Sequence, residues 1–272
     1  MPRALVIGSQ EHKERFCRFF IDTHTTYDPA AIDWPDIDEE SCKRLHSLPV
    51  WAEALATERQ ATCTIQHWAL SETDALIREA VALQGYEESR HAATIQGLLT
   101  RYEIATPTLP SPQPPVNAEW AFMRLGYSEC FDAFFTFALF AIARDSGFFP
   151  PVLVDKFEPV MQEEARHILF FVNWEAYRRA RSPLWQRPVH LWRGLVGRVL
   201  QTWGRIQNVM QARGNKNFTM TGHQAITMDI TPRRFLELCL AENAQRLDRY
   251  DARLLRPRLV PTIAQALCHV LR

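Results

Sequence analysis

Long uncharged apolar runs, paired cysteine motifs and a net charge are all missing from this chain of 272 residues. The six cysteines, Cys17, Cys42, Cys63, Cys130, Cys239 and Cys268, are scattered, and no C-x-x-C occurs. That excludes a rubredoxin-type or zinc-ribbon module and predicts free thiols in a reducing compartment. With 31 basic and 31 acidic residues, no global field selects a partner by charge. Residues 4–7 are the only apolar run at the N-terminus, far too short for a signal sequence, and no membrane-spanning length is free of charge. The expectation is a cytoplasmic protein.

Acid is also missing locally. None occurs between Glu175 and Asp229, where Arg178, Arg179, Arg181, Arg187, Arg193, Arg198, Arg205, Arg213 and Lys216 fall. Within that stretch, residues 188–211 predict a basic amphipathic helix carrying Trp192 and Trp203. Such a helix can lie on a membrane surface, or bind an anionic partner such as an acyl carrier protein or RNA across segment 178–216. It can equally dock its apolar face on the rest of the fold and leave its arginines in water.

What is present is a pair of near-identical pentads, Glu87-Glu88-Ser89-Arg90-His91 and Glu163-Glu164-Ala165-Arg166-His167. In each, a Glu and a His three residues apart share one helix face. One such motif alone is commonly a solvated face. Here each interrupts an apolar stripe: Ile77, Val81, Ile95 and Leu98 around the first, Val154, Phe157, Val160, Ile168 and Phe171 around the second. Charges on a buried face must be paired or must bind metal, because desolvating them alone costs several kcal/mol each. Two Glu-x-x-His helices plus one inward Glu from each of two others match a dinuclear carboxylate site in a four-helix bundle.

The two further helices supply the remaining carboxylates. Residues 50–70 offer Glu53 and Glu58. Spacing favours Glu53, since 35 positions separate it from Glu88 as they separate Glu129 from Glu164, whereas Glu58 lies 30 away. Burial favours Glu58, whose neighbours at helical steps are Trp51, Ala54, Leu55, Ala61, Thr62 and Ile65, and burial decides because a ligand must face the core. Residues 118–143 carry Glu129 among Phe122, Leu125, Gly126, Ala133, Thr136, Phe137 and Phe140. The small residues leave room near the metals, and Ala133, Thr136, Phe137 and Phe140 are the candidate substrate pocket, although any one of these phenylalanines can simply be core.

Ser71 with Asp74 predicts the start of the second bundle helix, and Pro150-Pro151 the start of the fourth. The proline-rich stretch 107–115 suits the crossover between helical halves. Before the bundle, residues 11–48 are mixed, with a short helix over 13–21 and loop beyond it. The expected division is a wrapping segment at 1–48, an all-α bundle at 49–181 and accessory helices at 182–272, one of them capped by Thr231-Pro232 and another running from Pro261.

On these paired motifs, residues 49–181 resemble the ferritin-like di-iron carboxylate oxygenases, oxidases and desaturases. The resemblance implies a ferritin-like bundle in which Glu58, Glu88 and His91 serve mainly one metal and Glu129, Glu164 and His167 the other, with Glu88 and Glu164 bridging. It also implies that Glu163 orients His91 and Glu87 orients His167, with Arg90 and Arg166 balancing the acids from the outer edge. Radical-generating relatives place a Tyr four residues after the first motif His, where this chain has Ile95. Hydrocarbon hydroxylases place a Thr one turn past the third-helix Glu, where this chain has Ala133.

The implied activity is O2-dependent oxidation by two iron ions, with Mn/Fe or Mn/Mn pairs fitting the same ligands. Hydroxylation, desaturation or N-oxygenation of a small or acyl-type substrate, free or carrier-bound, would draw electrons from an external ferredoxin or reductase; DNA is not an expected partner. A ferroxidase or peroxide scavenger would use the same ligands without organic substrate. A modified-tRNA hydroxylase would use the acid-free segment for phosphates. A buried salt-bridge network closed by the arginines would bind no metal.

Overall fold

Side-chain caps mark where most of the helices begin. The computed structural model describes residues 5–186 and 230–271, with Trp192, Gly194 and Val196 between them. It is all-helical, with no strand among the described residues. The Ser9 hydroxyl accepts from His12 N–H to start α1, Gln10–Asp22, and Asp38 accepts from Ser41 N–H to start α2, Glu39–Ser47. Helix α3, Trp51–Ser71, has no side-chain cap and follows Pro49. Asp74, not Ser71, caps α4, Ala75–Arg101, by accepting from the amides of Leu76 and Ile77. Asn117 caps α5, Ala118–Asp145.

The fourth bundle helix begins later than the Pro150-Pro151 pair predicts. Those prolines start a short helix, α6, Pro151–Val154, followed by a 3₁₀ turn at Asp155–Phe157, and the long helix α7 runs Glu158–Arg181. Pro159 is the reason: it has no N–H for the Asp155 carbonyl and its ring crowds that oxygen, so the chain must restart there. Thr231, with Pro232 behind it, caps α8, Pro232–Leu247, and α9 spans Leu259–Val270. The helix predicted at 188–211, and the acid-free stretch from residue 187 to 229 apart from the three positions above, lie outside the described residues.

Helices α3, α4, α7 and α5 contact one another in a closed cycle, the four-helix arrangement that the spacing of the carboxylates requires. Helix α1 lies across α4 and α7 on one side, and α8 and α9 lie against α5 on the other. The crossover at 107–115 is held on α3 by a reciprocal amide clamp, Gln60 Nε2–H to Gln113 O at 2.9 Å and Gln113 N–H to Gln60 Oε1 at 3.1 Å. Gly126 permits the α5–α7 approach, because a Cβ there would sit 2.1 Å from the Phe171 ring. The space at Gly126 is therefore filled by Phe171 rather than left open beside the acids.

The apolar side chains divide into two clusters along the bundle. One gathers Leu55, Ile95, Leu98, Phe137, Ile168 and Leu169; the other gathers Phe16, Phe20, Ile65, Val81, Phe122 and Trp174. On α3, α4 and α5 the carboxylate or pentad position falls between the residues given to each cluster. The polar slab is thus roofed and floored by hydrocarbon. Helix α5 is long and apolar enough to cross a membrane by length and composition, but it carries Glu129 and Asp132 mid-length and packs against α3, α7 and α8.

Candidate metal centre

Each pentad lies mid-helix, so its backbone amides and carbonyls are consumed by the helix and only its side chains are free to recognise anything. Helical pitch aims Glu88 and His91 of α4, and Glu164 and His167 of α7, at the volume that Glu58 of α3 and Glu129 of α5 also face. All six come together. One group of mutually close ligand atoms is Glu58, Glu88, His91 and Glu164; a second is Glu88, Glu129 and His167. Glu88 belongs to both groups, while Glu164 joins the Glu58 group rather than the Glu129 group. Glu53 is exposed.

The two imidazoles are oriented across the bundle. His91 Nε2–H donates to Glu163 Oε2 of the other pentad, and His167 Nε2–H donates to Glu87 Oε2, each at 2.9 Å. These bonds fix the tautomer, so in the neutral ring the Nδ1 lone pair faces inward. The rings are parallel within 30° and their centroids are 5.5 Å apart. His91 Nδ1 approaches Glu164 Oε1 at 3.2 Å, and His167 Nδ1 approaches Glu88 Oε1 at 3.0 Å. Yet both Nδ1 atoms, Glu88 Oε1 and both Glu129 oxygens are buried without a hydrogen bond of acceptable geometry.

Such a concentration of orphaned donors and acceptors is rare in proteins, where nearly every buried polar group finds a partner. The atoms converge, are imidazole nitrogens and carboxylate oxygens, and have no arginine among their ion-pair partners in the described residues. The residues therefore fit a metal, and these clusters can hold one.

The electrostatics carry the same strain. Burial pushes the Glu58 carboxyl up to about 8, with His91 opposing and Glu88 adding repulsion. Glu129 is lifted well above the usual carboxylate range by burial, then by the charge of Glu88. Burial would lower both histidines, but the surrounding carboxylates win and hold them well above the ordinary imidazole value. A bound cation would replace the trapped protons and relieve the repulsion between the acids.

Around this ring lies a second set in which both acids are partnered by arginine. Arg90 donates to Glu163 and to the backbone oxygens of Thr25 and Tyr27, at 3.1 and 3.3 Å for the last two. Arg166 donates to Glu87 Oε1 at 2.6 Å, to Thr23 Oγ1 at 3.0 Å and to the Phe20 carbonyl. Both guanidiniums are buried rather than at the outer edge, each under an aromatic ring: Tyr27 at 4.2 Å and Phe20 at 4.4 Å. Burial alone would raise Glu87, but His167 and then Arg166 hold it down to about 2.

Residues 20–27 thus form a strap pinned to both pentads, and it carries two site residues that the sequence did not announce. His24 Nδ1 lies 2.5 Å from Glu87 Oε1, and Tyr27 O–H reaches Glu163 Oε2 at 3.5 Å. No periodicity marks a strap, so only the unused His and Tyr in a loop could have hinted at them. The candidate substrate residues are mostly core. Ala133, Phe137 and Phe140 are buried in one of the two core clusters and Thr136 is half-buried.

No family model matches the chain, and neither a curated protein nor a solved structure matches it.

Proposed function

We propose that the protein is a ferritin-like, O2-activating non-haem di-iron oxidoreductase that oxidises a small or acyl-type organic substrate with electrons from an external donor. The observation that supports it is the inward ring of unpartnered ligand atoms: two histidine Nδ1 atoms, Glu88 Oε1 and both Glu129 oxygens. Glu58, Glu88, His91 and Glu164 would hold one iron and Glu88, Glu129 and His167 the other, Glu88 being common to both groups. When bound, such a pair supplies two adjacent redox centres over which the electrons of O2 reduction are shared.

The chain's own contribution is to hold and to shield. Glu87 and Glu163 keep the imidazoles in one tautomer and raise their basicity as ligands. Arg90 and Arg166 neutralise those two outer acids, so the inner acids are left to face metal. The two apolar clusters exclude water above and below. Glu58 and Glu164 keep 19% and 17% of their side-chain surface, against 3% for Glu88, so approach to the ring is along the side they share.

The dense packing of Ala133, Phe137 and Phe140 favours a second reading, a ferroxidase or peroxide scavenger with no organic substrate. One experiment addresses both. The protein is loaded with ferrous iron anaerobically and mixed with O2 while the optical spectrum is followed. Two irons per chain and a transient absorbing species support the di-iron reading; iron that is oxidised and released as ferric product indicates the ferroxidase. Failure to bind ferrous iron, with no oxidation above the protein-free rate, would overturn both.

A further inference from the structure

A cavity of about 570 Å³ lies on the far side of α5 from the metal ring. At 100° per residue, Tyr127, Phe131 and Phe134 project from the face of α5 opposite Glu129. Phe171 of α7 and Ile263 and Leu267 of α9 add to the wall. The size falls in the range of about 300–1,000 Å³ that small organic ligands occupy. Along α9, Leu259, Ile263 and Leu267 remain 54%, 51% and 44% exposed, a continuous apolar edge beside the cavity. Since the cavity and the metal ring use opposite faces of α5, a ligand can enter the cavity whether or not metal binds.

The lining also includes three arginines, Arg179, Arg256 and Arg258, against one acid, Glu175. Arg179 is 3.8 Å from Glu175. The half-buried Arg256 guanidinium is fixed by the carbonyls of Tyr250, Leu254 and Asp251 at 3.1, 3.2 and 3.3 Å, which position the cation without cancelling its charge. Arg258 is exposed and makes no ion pair among the described residues. A neutral hydrocarbon would match the wall and ignore the cations; a small polar anion would match the cations and leave the wall wet.

We propose that this cavity binds an unbranched acyl carboxylate, its chain against Phe131, Phe134 and the apolar edge of α9 and its head toward Arg256 and Arg258. Arg258, with Arg256 beside it although Asp248 and Asp251 offset part of the Arg256 charge, selects the head, and the aromatic wall selects the chain.

The test is calorimetric titration of the full chain, without added metal, with dodecanoate below its micelle concentration. Dodecanol and dodecyltrimethylammonium serve as neutral and cationic controls. Saturable binding of dodecanoate is expected, tighter than either control by about tenfold, the worth of one charge-assisted contact. Ile263→Glu, at a half-exposed position, should abolish binding of all three, and Arg258→Glu should erase the preference for the carboxylate; far-ultraviolet circular dichroism checks that both variants fold. Equal affinity for the three head groups, absence of saturable binding, or full affinity in folded Ile263→Glu would each overturn the proposal.

Discussion

Two buried clusters of the same residue types lie side by side in this bundle, and only one of them is at rest. His24, Glu87 and Glu163 offer carboxylate and imidazole atoms as close together as those of the inner ring. In that outer cluster Arg90 and Arg166 reach both acids, and the strap carbonyls take up further guanidinium donors. The inner ring has no arginine among its close pairs, and its two imidazole Nδ1 atoms and both Glu129 oxygens make no hydrogen bond of acceptable geometry. Burial of charge, which the two share, therefore does not mark a metal site. What distinguishes the inner ring is that the polypeptide leaves its donors unspent.

Substitutions can break that contrast from either side. The largest effect should come from His91→Ala or His167→Ala, which removes an inward nitrogen. Metal analysis after anaerobic loading should show two-metal binding lost in both, while two metals per chain in both variants would reject the ligand assignment. In the outer cluster the loss should appear in stability instead. Arg166→Met leaves buried Glu87 with two histidines and only the more distant Arg90, at 4.0 Å, and urea unfolding of the metal-free protein should show a loss of about 3–5 kcal/mol. Glu129→Gln, by contrast, removes a carboxylate that has no partner to lose, and should leave metal-free stability within about 1 kcal/mol of the parent.

A finer contrast separates the two candidate acids of α3. Glu58→Ala should release one metal far more readily than Glu53→Ala, measured by competition with a chelator; the reverse ranking would move the ligand to Glu53. The smallest effect is on pH dependence. The Glu58 carboxyl rises from the ordinary 4.5 to about 8 on folding. The metal-free folded state therefore holds a proton that the unfolded chain has released between those values. Its contribution to stability is complete below the unfolded value and is lost as pH rises through about 8. The raised histidines act in the same direction. Urea midpoints of the metal-free protein should thus fall with rising pH, less steeply in Glu58→Gln, and metal affinity should rise over the same interval because binding expels the proton.

How much of this could be read without coordinates depended on periodicity. The two pentads and Glu129 stand in long helical repeats, and the choice of Glu58 over Glu53 followed from its apolar neighbours. Helix α2 was not foreseen because only Ser41 and Leu45 of its residues are buried, too few to leave a stripe. The strap was illegible for a related reason: His24 and Tyr27 act through tertiary contacts from irregular backbone. On α5 the apolar residues run all round the helix, so the stripe around Glu129 did not tell a pocket from core. Phe137 and Phe140 proved to be core, while Phe131 and Phe134, on the other side, line the described cavity. Arg90 and Arg166 were expected to balance the acids from the outer edge, and are instead buried under a strap.

The most direct measurement is anomalous X-ray scattering from crystals of the protein loaded with iron or manganese. The account predicts two peaks, both inside the volume bounded by Glu58, Glu88, His91, Glu129, Glu164 and His167, with histidine coordination through Nδ1. A peak at the His24, Glu87 and Glu163 cluster instead, or no bound metal at all, would contradict it.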